Sequence, residues 1–284
     1  MSFTAIFIAL LLERFIVFNA TPLRNWNWFG AYQRLITQKV TGQTPYVLLA
    51  AVVVPLLLGV VIVDLALSSL IFGFLKLIFS TAVILYCFGP RNLWVDIAIC
   101  LDAMKEGDVA QLAEKLKMTF GINLDADTQG LHRQLLTRIF TQTNCRVFAL
   151  VFWFGVAGLA GVIVYRLVTL IAAEPASDDT SAALSTVARQ VESYMDWPAI
   201  RALTFLFALG GNFNRVFSSW RGKVMLGPET NESLLIDCGM SALNSAAQET
   251  IPVDGSAEKE EVTLIDRSLA IMLVILAVLV FLIP

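Results

Sequence analysis

Long apolar runs without a single charge constrain this chain more than any other feature of its sequence. Tyr46–Val63 holds eighteen uncharged residues, Val147–Tyr165 nineteen and Ser268–Pro284 seventeen. A helix needs about 20 predominantly apolar residues to cross the hydrocarbon core of a bilayer. Inside lipid the backbone must also satisfy its own hydrogen bonds, which a helix does within one segment. The three runs therefore predict membrane-embedded helices.

A hairpin is predicted around the first run. Leu65–Phe88 follows it after a tight connection and is apolar except for Lys76. Lys76 has two ordinary explanations: its ammonium reaches the membrane surface, or it pairs with Asp64 across the hairpin. We expect the chain to cross the membrane and return here.

Two weaker segments extend the pattern. Ala202–Asn214 offers thirteen uncharged residues, enough for a short span or a buried half-helix. Ser2–Phe18 carries Glu13 and Arg14 within apolar sequence and is expected to stay in the mature protein as a short or interfacial helix. The expected fold class is all-α, a polytopic helical membrane protein with about four to five membrane-embedded helices.

Three glycines lie in the second long run. Gly155, Gly158 and Gly161 recur at a spacing of three, and such small residues let another backbone approach closely.

The charged residues concentrate between the apolar runs and divide the chain into three expected parts. Residues 1–90 hold the N-terminal helix and first hairpin, 91–146 a cytoplasmic helical segment, and 147–284 the C-terminal membrane region. The middle part should contain two amphipathic helices joined through Gly121–Gly130. Their apolar faces hold Ala110, Leu112, Ala113, Leu116 and Met118 in the first helix, and Leu131, Leu135, Leu136 and Ile139 in the second.

Composition excludes several classes of function. Charged residues make up 15% of the chain and the net charge is -3, so nothing favours a nucleic-acid partner. The four cysteines are not closely spaced, and His132 is the only histidine. Zinc, iron–sulfur and thioredoxin-like sites lack their spacing. No metal or other cofactor is expected, and no residue is assigned a catalytic role.

Basic residues near the spans set the expected orientation. If the first three spans are real, seven lysines and arginines fall on one side, which should be cytoplasmic. They are Arg24, Arg34, Lys39, Arg91, Arg133, Arg138 and Arg146.

Ionisable residues beside apolar helix are candidates for a functional site, because burying them is costly. Glu13–Arg14 and Asp196 with Arg201 each place opposite charges together. They form either a static ion-pair lock or a polar cavity that binds something. Arg166 ends a span, where an interfacial anchor is the ordinary explanation.

These residues also resemble those of a known family, the AmpE proteins. The likeness rests on the order of short motifs along nearly the whole chain: Leu11-Leu12-Glu13-Arg14-Phe15, Asn144-Cys145-Arg146, Ala149–Trp153 with Gly155, Tyr165-Arg166, and Asp196-Trp197-Pro198-Ala199-Ile200-Arg201. The resemblance implies an inner-membrane protein linked to induction of chromosomal β-lactamase and partnered genetically with a muropeptide amidase.

AmpE proteins look like distant relatives of the membrane cobinamide-phosphate synthases, which form an amide bond using a nucleotide. This chain departs from the synthase pattern. After Glu13-Arg14 it lacks the aspartate–proline and histidine–proline–valine elements and has Asn25-Trp26-Asn27-Trp28. Leu150 stands where relatives have a proline.

The expected function is that of a non-enzymatic regulator in the bacterial inner membrane, tied to β-lactamase induction and peptidoglycan recycling. A polar pocket would be formed by Glu13, Arg14, Asn144, Arg166, Asp196 and Arg201. Expected partners are membrane lipids, a cell-wall fragment or amphiphilic small molecule, and a protein at the cytoplasmic face. The rival is a membrane enzyme related to the synthases, although the sequence has no P-loop or G-x-S-x-G signal. A transporter is a third class, with no obvious inverted halves to support it.

Overall fold

A computed structural model describes residues 2–15, 24–40, 42–69, 73–105, 114, 117–118, 128–175, 178–244 and 256–282. All regular secondary structure in these ranges is helical. The helices are α1 (Ser2–Phe15), α2 (Asn27–Lys39), α3 (Pro45–Ser69), α4 (Gly73–Phe88), α5 (Leu93–Lys105), α6 (Thr128–Thr143), α7 (Ala149–Ala173), α8 (Asp179–Gly210), α9 (Phe213–Lys223), α10 (Asn231–Ala242) and α11 (Ser256–Leu282). A π-helical turn, Asn144–Phe148, joins α6 to α7, and a 3-10 turn, Pro228–Thr230, precedes α10.

Three helical segments are long and apolar enough to cross a membrane: Pro45–Leu67, Arg133–Ala173 and Ser256–Val280. A fourth span results if α4 and the start of α5 act as one bent span. Their side chains fit a membrane protein, because Ile62 and Val274 keep more than half of their surface exposed although they are apolar. The expectation of an all-α polytopic membrane protein is confirmed.

The predicted hairpin is present, but its first helix ends later and its second helix begins later in the sequence than expected. α3 continues through Asp64 to Ser69, and α4 begins at Gly73. Lys76 Nζ lies 3.1 Å from Asp64 Oδ2, which confirms the cross-hairpin pair as the explanation for Lys76. The pair lets an acidic residue stay inside an apolar helix at reduced cost.

The contacts divide the chain into two compact units. The first unit consists of Met1–Asn92 and Ala149–Asp196, and the second of Leu93–Phe148 and Trp197–Pro284. Both units combine segments that are distant in sequence, so they group the chain differently from the three consecutive parts expected above.

In the first unit, α1 packs on α4, and α3 and α4 both pack on α7. Ala5, Ile6, Ala9 and Leu10 of α1 are buried. Their spacing places them on one face of the helix. The N-terminal helix is therefore held by protein contacts along one face.

The second unit is built around α6. α5, α10 and α11 all pack on this helix. Leu135, Leu136 and Ile139 are at most 1% exposed, which confirms these three positions of the predicted apolar face. The side chain of Leu131, the fourth, lies outside the described residues. Gly239 of α10 is required for close packing, since a Cβ there would lie 2.7 Å from the Phe140 ring. The first predicted amphipathic helix, around Ala110–Met118, lies mostly outside the described residues.

Helix boundaries differ from expectation at two places. The helix expected to begin at Val147 is continuous with α6 through the π-helical turn. The stretch Ala202–Asn214 is divided, because α8 ends at Gly210 and Asn212 caps α9 by accepting a hydrogen bond from Arg215 N at 3.2 Å. Leu203 and Phe207 in this stretch are buried within protein.

The glycines of α7 serve a bend. Gly158 has φ 61° and ψ -147°, a conformation that residues with a Cβ rarely adopt. A Cβ on Gly161 would lie 2.4 Å from the carbonyl oxygen of Trp153 in the same helix. The glycines were expected to let the backbone of another segment approach α7. At Gly161 the backbone that comes close is instead that of α7 itself, on the other side of the bend.

Candidate functional site

Glu13 lies near the end of α1 and is 2% exposed. Its Oε2 is 2.9 Å from Arg24 Nη1, and Asn92 Nδ2 donates to its backbone carbonyl. Adjacent residues on a helix point in different directions, so Glu13 and Arg14 do not face one another. Arg14 instead lies beside Phe15, with Cζ 5.9 Å from the ring centroid. The acidic partner in this buried ion pair is thus the predicted one, and its basic partner is Arg24.

Trp26 and Trp28 follow shortly after Arg24 in the chain and, with Tyr86 of α4, form a group here called the aromatic cluster. Trp28 Nε1 donates to Tyr86 Oη at 2.7 Å, and Trp26 Nε1 donates to the Tyr86 carbonyl at 3.4 Å. The Trp26 and Tyr86 ring centroids are 4.5 Å apart. Helices α2 and α4 are therefore joined at their ends by interlocking rings.

Arg166 of α7 joins the aromatic cluster. Its Cζ lies 5.9 Å from the centroid of the Trp26 ring. Gly89, with φ +96°, makes room for the guanidinium, because a Cβ there would lie 2.8 Å from Arg166 Nη2. A cation held over an aromatic face is stabilised by the ring quadrupole. The predicted span-end arginine is thus half-buried against Trp26 and Gly89 of the first unit.

Asp196 of α8 accepts a hydrogen bond from Tyr165 Oη at 2.8 Å. Glu192 lies one turn earlier on α8. Burial raises the pKa of Glu192 to about 7, the negative charge of Asp196 adds to the shift, and Arg189 opposes it. This carboxyl group therefore titrates near neutral pH.

Arg201 is enclosed by acceptors from α8, from the segment between α9 and α10, and from the first residue of α10. Nε donates to the Val224 carbonyl at 3.1 Å, and Nη2 donates to the Leu226 carbonyl at 2.9 Å. Nη1 donates to Asn231 Oδ1 and to the Trp197 carbonyl. All three guanidinium nitrogens are therefore engaged. Burial lowers the pKa of Arg201, and a nearby glutamate opposes that shift.

The π-helical turn contains the Asn144-Cys145-Arg146 motif. Asn144 is 2% exposed, and Arg146 Nη1 donates to Asp96 Oδ2 at 3.0 Å. π-helical turns often occur at functional positions. The motif thus combines a buried amide with an ion pair to α5.

The six residues of the predicted pocket are divided between the two units. Glu13, Arg14, Arg166 and Asp196 belong to the first, and Asn144 and Arg201 to the second. Within the first unit, Glu13 contacts Arg24, Arg166 contacts Trp26, and Asp196 contacts Tyr165. A single pocket formed by all six remains a prediction.

Several polar residues that make these contacts were not among the residues predicted for the site. Arg24 and Arg146 were interpreted as markers of orientation, although both make internal ion pairs with acidic residues. Asp96, Glu192 and Asn231 received no role. The sequence signal available was an acidic or amide residue among apolar neighbours in a helical pattern.

Helix α11 carries two further buried acids. Glu258 and Glu261 are 0% exposed and stand one turn apart, at the start of a helix expected to begin only at Ser268. Among the described residues, neither oxygen of Glu261 has a hydrogen-bond partner. The terminal helix is therefore longer and more polar at its start than its uncharged run predicted.

The helices and their buried ionic contacts define an α-helical polytopic membrane protein. The chain belongs to the AmpE family: residues 3–282 match the sequence model described as "Regulatory signalling modulator protein AmpE". The predicted resemblance is confirmed, and so is the class of regulatory signalling modulator.

Two curated relatives carry the description "Cobalamin biosynthesis protein CobD". The protein from Stutzerimonas stutzeri is 28% identical over 118 residues, which are 41% of this chain and 39% of that protein. The protein from Chromobacterium violaceum is 24% identical over 171 residues, 60% of this chain and 55% of that protein. The chain thus spans less than two thirds of the length of either relative. No solved structure matches the chain.

Proposed function

We propose that this chain is a non-enzymatic, multi-pass regulator of the bacterial inner membrane that modulates β-lactamase induction in connection with peptidoglycan recycling. The observation that carries the proposal is the AmpE family match over residues 3–282. The cobalamin-related similarity covers a smaller part of the chain at 28% identity or less.

The contacts of the candidate site support a regulatory role. Arg201 and Asp196 are held by acceptors and donors of the chain itself, and Glu13 by an arginine. Groups already bound in this way fix the arrangement of helices. A regulator needs such fixed arrangements to transmit the occupancy of a site to a partner.

The proposed partners follow from the same view. Membrane lipids surround the apolar helices, and a cell-wall fragment or another amphiphile is the proposed signal. A protein partner would bind on the cytoplasmic face, for which the helical segment 91–146 is the proposed contact.

A deletion strain tests the proposal. β-Lactamase activity is measured after exposure to an inducing β-lactam, with the wild-type chain, Asn144→Ala or Arg215→Lys supplied in trans. Asn144 is buried in the π-helical turn, whereas Arg215 is partly exposed and bonds to Asn244 at 2.7 Å, so Arg215→Lys is the matched control. We expect altered induction in the deletion strain, restored by the wild type and Arg215→Lys but not by Asn144→Ala at equal abundance. Unchanged induction in the deletion strain would refute the proposal.

The second candidate is a membrane enzyme acting on an amphiphilic or nucleotide-bearing substrate. The similarity to the two CobD proteins favours it. In the same deletion strain, a block in cobamide formation with normal β-lactamase induction would favour the enzyme. The regulator predicts the opposite result in both assays.

A further inference from the structure

Arg24 is buried with one edge of its guanidinium unused. The residue is 8% exposed, and its Nη1 faces Glu13 Oε2 at 2.9 Å. Nε and Nη2 are also buried, and neither has a hydrogen-bond acceptor among the described residues. Buried donors without acceptors are costly, more so on a charged group. An acceptor that binds here would recover that cost.

The unused atoms lie on the same side of the guanidinium. Nε–H and Nη2–H point outward in parallel and form one fork of the planar group, which matches two oxygens of one oxyanion. Glu13 occupies the other end, so it does not compete for this fork. The remaining geometry of Arg24 is therefore that of a bidentate oxyanion site.

The surroundings indicate the rest of the ligand. Arg166 brings a second cation to the aromatic cluster, with its Cζ 5.9 Å from the centroid of the Trp26 ring. A phosphate group offers the paired oxygens that a guanidinium fork binds. Trp28 of the aromatic cluster is 45% exposed, and tryptophans of this kind are typical of the headgroup level of a membrane.

We propose that the Nε/Nη2 fork of Arg24, with Arg166 and the aromatic cluster, binds the phosphate headgroup of an anionic amphiphile. The site goes beyond the proposed function, because it predicts binding whether the chain regulates or catalyses. It also assigns a role to Asn25-Trp26-Asn27-Trp28, where the sequence departs from the synthases.

The test uses the full chain purified in a neutral detergent. The shift in unfolding temperature is titrated with dioleoyl phosphatidic acid, with dioleoylglycerol (the same lipid without phosphate) and with glycerol 3-phosphate (the headgroup without chains). Arg24→Lys keeps the charge but loses the fork. Arg34→Lys is the matched control, since Arg34 lies exposed on α2.

We expect phosphatidic acid to stabilise the wild type and Arg34→Lys, and to bind Arg24→Lys at least about tenfold more weakly. Dioleoylglycerol should have no effect. A shift in unfolding temperature with glycerol 3-phosphate that depends on Arg24 would also support the site and would show that the headgroup alone is sufficient. If phosphatidic acid stabilises the chain and glycerol 3-phosphate does not, the ligand is a lipid.

Equal binding of phosphatidic acid by Arg24→Lys and Arg34→Lys would overturn the proposal, as would equal stabilisation by dioleoylglycerol. If Arg24→Lys does not fold, Glu13→Gln decides. This variant leaves the fork in place with one more net positive charge, so it should bind phosphatidic acid at least as tightly as the wild type. Weaker binding by Glu13→Gln would contradict the site.

Discussion

Replacing Arg201 by lysine should destabilise the second unit strongly, although the charge is kept. The guanidinium reaches acceptors in several directions, among them the carbonyls of Val224 and Leu226 and the side chain of Asn231. It also lies 4.6 Å from the centroid of the Trp197 ring. A lysine ammonium presents its donors at a single point and cannot reach all these groups.

The size of the effect follows from the acceptors left behind. The buried Asn231 side chain loses its donor at a cost of about 1–3 kcal/mol, and a lost bond to a part-buried carbonyl adds about 0.5–1.5 kcal/mol. We therefore expect Arg201→Lys to lower the free energy of unfolding by about 1.5–4.5 kcal/mol. Two of these acceptors, the carbonyls of Val224 and Leu226, lie in the short segment between α9 and α10.

The assay is chemical unfolding in detergent, monitored by circular dichroism. Arg215→Lys serves as the control, because Arg215 makes a single side-chain bond to Asn244 near the surface. The control should stay within about 0.5 kcal/mol of the wild type. If Arg201→Lys does so too, the bonds around Arg201 contribute nothing to stability and the reasoning is refuted.

Three further predictions concern the first unit. Glu13→Ala and Arg24→Ala should each lower the free energy of unfolding by about 3–5 kcal/mol, because each leaves one buried charge without its partner. The double variant should lose less than the sum of the two. Additive losses in unfolding titrations would count against the ion pair. The free energy of unfolding should fall by up to about 1.4 kcal/mol per pH unit as the pH rises from the ordinary pKa of a glutamate toward 7. In this range Glu192 keeps its proton in the folded chain and has lost it in the unfolded chain. Glu192→Gln should remove this pH dependence. Gly158→Ala should cost about 1–3 kcal/mol through its positive φ, whereas Gly59→Ala in α3, where a Cβ meets nothing, should be neutral or stabilising; equal melting temperatures would contradict the strain.

The uncharged runs predicted the helices well because what a helix needs in lipid depends only on its own segment. A segment in lipid satisfies its own backbone and needs only apolar side chains. Helix ends were less predictable, since they depend on distant partners. α3 passes through Asp64 because Lys76 of the next helix neutralises it.

The buried ionic residues were partly predictable, but their partners were not. Glu13 and Arg201 were recognised as charges beside apolar helix. Their contacts, Arg24 and Asn231, are 11 and 30 positions away along the chain. Such pairings depend on how helices pack, and a single sequence carries no periodic signal for them.

The bend at Gly158 also affects how α7 meets a membrane. Its two straight pieces, residues 149–157 and 159–173, measure about 13 and 22 Å along the axis. The second piece is shorter than a hydrocarbon core of about 30 Å, and the first reaches that length only together with the π-helical turn and α6, with which it is continuous. Val156 beside the bend is 63% exposed, so the peptide groups there lie near the surface of the chain. Lipid tails cannot hydrogen-bond to a broken stretch of backbone. We therefore expect Gly158 to lie at the depth of headgroups and water, or against a second protein, with α7 entering the apolar layer from there.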